Sequence, residues 1–240
     1  VTITHVSNML GCISPIEKIA KLAHAKGALF AVDAAQSIAR IQIDVQKLGV
    51  DFLAFSGHKM YGPTGIGVLY GKKDLLSRMS PAYFGGDMVR EVSFLDATWN
   101  DLPWKFEAGT PPIAEGIGLS AAVDFIRKIG YSQITLHEKT LLKYAQSALS
   151  SIKGAEIYGP SPNQRAGVIS FNVKKVHAHD LASLLNENGV AIRAGHHCTM
   201  PLHGLLKIPA SARMSVGVYN TKEEIDTLVE RVRLAQGIFS

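Results

Sequence analysis

Cysteine is scarce: the 240 residues hold two, Cys12 and Cys198. Two thiols cannot build the multi-bridge framework of a small secreted domain, and they suit a reducing compartment, so a cytoplasmic protein is expected. No run of about 18 uncharged apolar residues occurs, so no membrane-spanning helix is expected. An excess of one charge is also missing. Lys and Arg number 25 against 20 Asp and Glu, a net +5, and the densest basic spots are mere pairs, Lys72 with Lys73 and Lys174 with Lys175. That describes a solvated surface and argues against a nucleic-acid partner. Charged residues make up 19% and apolar ones 47%, the opposite of a disordered chain. Internal repeats, low-complexity linkers and a charged-then-apolar leader are absent too. The chain opens on Val1 with no Met and no polar tail, as expected of a sequence that starts inside a fold.

What is present alternates between short apolar runs and helical patterns. Residues 1–6 read as a buried strand. Ser14-Pro15-Ile16-Glu17 then has the form of a capping box, with Ser14 as N-cap, opening a helix that stops at Gly27. Strands are expected at 28–32, 51–55 and 66–70, with a helical turn at 44–48. Strands alternating with helices predict an α/β fold with a mostly parallel sheet. Residues 81–112 read as irregular, rich in Gly, Pro and aromatics, and a segment of that length is usually functional. Helices are expected at 113–129 and 132–151. Strands at 167–173, 191–193 and 213–218 and a helix at 179–188 follow, and Thr221-Lys222-Glu223-Glu224 caps a last helix. The change of pattern places a larger domain over 1–152 and a smaller α+β domain over 153–240.

Chemistry concentrates at three places. Ser56-Gly57-His58-Lys59 follows an apolar strand and precedes a Gly-rich stretch. A lysine at the C-terminal end of such a strand faces the ligand crevice of an α/β sheet, where, partly desolvated, it can form a Schiff base. The plainer alternative is a surface lysine in a loop. Asp33, in Ala31-Val32-Asp33-Ala34-Ala35-Gln36, ends the preceding strand 26 residues earlier. One right-handed crossover would set both residues on one rim. A pyridoxal cofactor needs this pair: an amine for its aldehyde and a carboxylate that keeps its ring nitrogen protonated. The alternative for Asp33 is a helix N-cap. Third, Arg193-Ala194-Gly195-His196-His197-Cys198-Thr199-Met200-Pro201 puts a thiol in a loop among cationic and imidazole groups, a setting that favours thiolate. His196, His197, Cys198 and His203 could also be read as zinc ligands, but their spacing is wrong for a metal site, and no metal is expected. Cys12, between Gly11 and Ile13, reads as an inert packed cysteine.

Together these residues resemble the class V, fold-type I pyridoxal-phosphate enzymes, and more narrowly the SUF-type (group II) cysteine desulfurases, close to selenocysteine lyases. Segments 5–11 (His-Val-Ser-Asn-Met-Leu-Gly), 106–111 (Phe-Glu-Ala-Gly-Thr-Pro) and 213–221 (Arg-Met-Ser-Val-Gly-Val-Tyr-Asn-Thr) share the resemblance. It implies Lys59 as Schiff-base lysine and general base, Asp33 on the pyridinium nitrogen and Gln36 on the ring hydroxyl. It implies Ser56 and His58 on the phosphate, and Asn8 and Arg213 on the substrate carboxylate. Cys198 becomes the sulfur acceptor, a mobile thiol in a loop shaped by Arg193 and His197. Gly86 and Thr110 would reach a partner subunit's phosphate site, implying a homodimer. The implied reaction turns L-cysteine into L-alanine with persulfide on Cys198, passed to a SUF-type acceptor protein for iron–sulfur assembly. L-selenocysteine is the alternative substrate. Members of the group extend further N-terminally, to a Gly/Thr phosphate turn and a ring-stacking histidine. A non-catalytic sulfur-binding or interaction module is therefore a second reading and a metal-binding module through the His-His-Cys loop a third, with a class V aminotransferase disfavoured because it has no use for a loop thiol.

Overall fold

A computed structural model describes Val1–Phe239. Its contacts divide into two compact units. The first takes in Val1–Ile3, Pro15–Ala39 and Ile43–Lys128; the second takes in Thr4–Ser14, Arg40–Gln42 and the chain from Ile129 onward.

The first unit is built on a four-stranded sheet in the order β1 (Thr2–Thr4), β2 (Ala31–Asp33), β3 (Phe52–Ser56), β4 (Gly67–Gly71). Helix α1 (Ile16–His24) buries Ile16, Ala20 and Ala23, spaced to share one face, and turns Glu17 and Lys21 outward as a 2.7 Å ion pair. The expected Ser14 cap does not form: Pro15 is the N-cap residue without a side-chain bond, and the Ser14 hydroxyl donates to the Thr4 carbonyl at 2.8 Å. Asp44 does cap α2 (Val45–Leu48), accepting from the Gln46 and Lys47 amides, and Gly49 at φ 67° ends it. Phe30, Val32, Ala34, Val50 and Leu53 join the α1 face in one core.

The sheet is mixed. β2 and β3 are parallel, with Val32 opposite Leu53 and Asp33 opposite Ala54. β4 runs antiparallel to β3, because residues 57–66 contain only a 3-10 turn and no helix that could carry the chain back across the sheet. Residues 81–112 are less irregular than expected, since β5 (Val89–Val92) and β6 (Ala97–Trp99) form a hairpin with one register shift. Helix α3 (Lys73–Arg78) precedes it and α4 (Ile113–Ile129) follows.

Asp51 ties this unit together. Its side chain is 4% exposed and accepts from Lys72 Nζ at 2.6 Å, His24 Nε2 at 2.9 Å and the Phe30 amide at 2.7 Å. Burial pushes its carboxyl up, but the bonds from Lys72, His24 and Phe30 outweigh it and bring the pKa down from 3.8 to about 2. A depressed carboxylate stabilises the fold above its unfolded pKa and loses that contribution as pH falls through the folded one. About 2 kcal/mol of stability should therefore disappear between roughly pH 4 and pH 2. Asp51→Ala should cost about 3 kcal/mol at neutral pH and remove that acid limb, as read by denaturant unfolding at several pH values. An unchanged acid limb in the variant would refute the assignment.

The second unit carries an antiparallel sheet in the order β7 (Ala155–Tyr158), β8 (Val168–Val173), β10 (Ser211–Ser215), β9 (Arg193–Gly195). β8 is almost wholly buried. Leu141, Leu142, Ala145 and Leu149 of α5 (Tyr131–Ser150), Leu181 and Leu185 of α6 (Ala178–Glu187), and Ile225, Leu228 and Val232 of α8 (Lys222–Ile238) form one core with Ile169 and Phe171. The Thr221/Glu224 capping box forms as expected. Helix α7 (Met200–Leu206), preceded by Thr199 and with Pro201 in its first turn, was not anticipated. Among the described residues no helix is long and apolar enough to cross a membrane.

Candidate active site

In the first unit, parallel β2 and β3 bring their C-terminal ends side by side. Asp33 ends β2; Ser56 ends β3, and His58 and Lys59 lie in the 3-10 turn immediately after it. Backbone close packing dictates the sequence here. The Gly57 amide donates to the Ile66 carbonyl at 2.9 Å, and a Cβ on Gly57 would meet the Ile66 side chain at 2.8 Å. A Cβ on Gly62 would sit 2.9 Å from the Gly57 carbonyl oxygen. Folding 57–67 back on itself presents His58 and Lys59 outward: both are exposed, so the partial desolvation expected for Lys59 is not found. Asp33 is exposed as well and its Oδ1 accepts from the Ala35 amide at 2.8 Å. That bond closes a turn over 33–35, and no helix follows for Asp33 to cap. Gln36 lies in the same turn. Gly86 and Thr110 are exposed, and the Gly109 amide donates to the Gly86 carbonyl at 2.9 Å, so two distant stretches of sequence share one spot.

In the second unit, Asn8, Arg193, His197, Cys198 and Arg213 converge. The loop holding Asn8 is pinned by the Ser7 hydroxyl, which accepts from the Leu10 amide at 3.1 Å, and by Ser170, whose hydroxyl donates to the Met9 carbonyl at 2.7 Å. Gly11, at φ 69°, is required there, because a Cβ would lie 2.9 Å from the Val168 carbonyl oxygen. Asn8 then bridges two functional candidates. Its Nδ2 donates to the His197 carbonyl at 2.6 Å, and its own carbonyl accepts from Arg213 Nη1 at 2.7 Å.

Cys198 is exposed. It and His197 both adopt left-handed backbone, φ 60° and 51°, a strained choice for non-glycine residues that the surroundings must hold in place. His197 is 2% exposed, and its Nε2 donates to the Ser211 carbonyl at 2.9 Å. Burial, aided by the Arg213 charge, holds that imidazole near pKa 4, so it is neutral at pH 7. Thr199 turns back, its amide and hydroxyl donating to the His196 carbonyl at 2.8 and 2.7 Å. The loop is therefore braced on both sides of the thiol. Arg193 Nη2 lies 4.0 Å from the sulfur. Arg213 is half-buried and its Nε, shut off from solvent, is unpartnered among the described residues. Burial lowers its pKa, and the Cys198 charge opposes that shift.

Two residues of this cluster went unread. Ser211, fully buried, receives both His197 and His203, the latter through its hydroxyl at 3.0 Å from His203 Nε2. No motif announces a serine at the start of a strand. From sequence His203 reads only as a possible zinc ligand; in the structure its nitrogens are spent on Ser211 and Thr199. Cys12 is half-buried and bridges to Arg165.

The class-V aminotransferase family model matches residues 1–228. The chain belongs to the class-V aminotransferase family. Among curated class-V relatives, a cysteine desulfurase of Haloferax volcanii is 52% identical over all 240 residues, and a probable cysteine desulfurase of Halobacterium salinarum is 53% identical over the same span. The chain spans 56% and 58% of their lengths. Among solved structures, an Escherichia coli cysteine desulfurase in an S-sulfonic acid form superposes with TM-score 0.95 at 40% identity. It is matched by the whole of this chain and over 59% of its own. The apo cysteine desulfurase of Thermococcus onnurineus gives 0.95 at 41%, covering 99% of this chain and 60% of that one. The α/β architecture is thus that of a class-V enzyme over part of its length.

Proposed function

We propose that this class-V chain carries the sulfur-accepting machinery of a pyridoxal 5'-phosphate-dependent cysteine desulfurase, which converts L-cysteine to L-alanine and leaves the sulfur as persulfide on Cys198. The observation that carries the reading is the exposed Cys198 thiol, braced in left-handed backbone with the Arg193 guanidinium 4.0 Å from its sulfur. A transaminase has no use for such a group. The similarity to named desulfurases at 52–53% identity supports the same choice.

The donor set at the ends of β2 and β3 fits the cofactor. An amine, a carboxylate, a hydroxyl and an imidazole lie in neighbouring positions, and among the described residues the Lys59 amine has no hydrogen-bond partner to give up. Lys59 would hold the aldehyde, Asp33 the ring nitrogen, Gln36 the ring hydroxyl, and Ser56 and His58 the phosphate. When bound, the group supplies an electron sink for charge developing at the substrate α-carbon. The Lys59 amine would take the substrate α-proton on Nζ. Arg213 and Asn8 would hold the substrate carboxylate, the planar guanidinium suiting a two-bond contact. The Cys198 thiolate would attack the substrate sulfur: an S–S bond forms as the substrate C–S bond breaks, the carbon keeps that electron pair and takes up a proton to give alanine, and the sulfur stays on Cys198 as persulfide. Gly86 and Thr110, exposed and drawn together, would serve the phosphate site of a second copy, so we assign a homodimer. The free thiols of Cys12 and Cys198 support a cytoplasmic setting, and a small sulfur-acceptor protein would take the persulfide.

The test is the visible absorption of the purified chain incubated with pyridoxal phosphate. A cofactor band that disappears in Lys59→Ala is expected. A folded sample with no band, or a band untouched by Lys59→Ala, would sink the reading that this chain holds the cofactor through Lys59.

A further inference from the structure

His203 lies outside every expected role, yet its hydrogen bonds are fully specified. It sits in α7 and is 1% exposed. Nδ1 is 3.1 Å from the Thr199 carbonyl oxygen, which can only accept, so the proton resides on Nδ1. Nε2 is then an acceptor, and the Ser211 hydroxyl at 3.0 Å donates to it. Thr199 follows Cys198 directly, and Ser211 receives the imidazole of His197, which precedes it. Two residues along β10 stands Arg213, on the same face of the strand as Ser211. Asn8 closes the circuit from Arg213 to His197. The left-handed turn at Cys198 is thus clamped on one side through His197 and on the other through His203, and both clamps end on Ser211.

We propose that His203 is a positioning residue: by joining Thr199 to Ser211 it fixes the Cys198 thiol in register with the guanidinium groups of Arg193 and Arg213. The proposal rests on reading Cys198 as the working thiol, but its test needs neither cofactor nor turnover and so fails separately from that reading.

The test compares alkylation of Cys198 by iodoacetamide, which is neutral, and iodoacetate, which carries a carboxylate, followed by mass spectrometry of the peptide containing Cys198. A thiol held among the two guanidiniums should favour iodoacetate, relative to glutathione under the same conditions, by on the order of threefold, the factor for unit charges about 6 Å apart in water. His203→Leu should bring that preference down to the glutathione value. His203→Asn, which restores a donor for the Thr199 carbonyl, should recover part of it. A merely structural role would change both reagents by one factor and leave their ratio alone; that result overturns the proposal. If His203→Leu does not fold, Ser211→Ala removes only the hydroxyl end of the clamp, and an unchanged ratio there is equally fatal.

Discussion

Cys198→Ala is expected to abolish alanine release from L-cysteine, with kcat reduced at least ~10³-fold, because a covalent acceptor has no substitute once its nucleophilic atom is gone. The fold should survive: the residue is exposed, and the bonds that brace its loop come from Asn8, Thr199 and Ser211. Its φ of 60° will cost the alanine variant no more than it costs the cysteine. Alanine release and the mass of the peptide containing Cys198 are the measurements. Loss of both turnover and the added sulfur mass confirms the acceptor role. Undiminished alanine release would show that sulfur leaves the substrate without Cys198 and would overturn the acceptor role.

A second large effect comes from a buried carboxylate on α5. Glu138 of α5 is 3% exposed and faces Arg40, with Nε 3.0 Å from Oε2. Burial raises its pKa from 4.5 to about 7, and the attraction of Arg40 only partly offsets this. The sign is opposite to that of Asp51. A group whose folded pKa is raised binds its proton more tightly in the folded state, so stability falls as pH climbs from the unfolded pKa to the folded one. About 3 kcal/mol should be lost between roughly pH 4.5 and pH 7 from this one group. Glu138→Gln should flatten that slope in denaturant unfolding measured across the range. A slope of the same size in the variant would show that the dependence comes from elsewhere.

How much of this could be read from residues alone depended on whether the signal was local. Asp44 before α2, the Thr221/Glu224 box and the apolar spacing of α1 are local devices, and each element appears where it was read. Ser14-Pro15-Ile16-Glu17 has the same form as a capping box but fails, because the Thr4 carbonyl competes for the Ser14 hydroxyl. That competitor is brought by tertiary folding and is invisible in the motif. The hairpin of β5 and β6 escaped because Gly- and aromatic-rich sequence hides a pattern only four residues long. Helix α7 left a sign, Pro201 in its first turn, which went unused. For β4 the missing helix between 57 and 66 was itself the clue to direction.

The site divides in the same way. Asp33, Ser56, His58 and Lys59 stand at strand ends, so alternation of strands and helices was enough to group them. The cluster around Cys198 draws on residues 8, 193, 197 and 213, with 203 and 211 behind them. Apart from the resemblance to a family, nothing in the spacing joins Asn8 to Arg213 across 205 positions. Ser211 contributes its carbonyl to one contact and its hydroxyl to the other, and a backbone acceptor leaves no trace in a sequence.

The bracing of the Cys198 loop limits distance as well as shape. Residues 196–199 join Gly195, the last residue of β9, to Met200, the first of α7. Fully stretched, four residues would cover about 13–14 Å. Held as they are by Asn8 and Ser211, they leave the sulfur little travel beyond rotation about one side-chain bond. A group that reacts with Cys198 therefore meets the sulfur at a point set by the loop's own hydrogen bonds and one side-chain torsion.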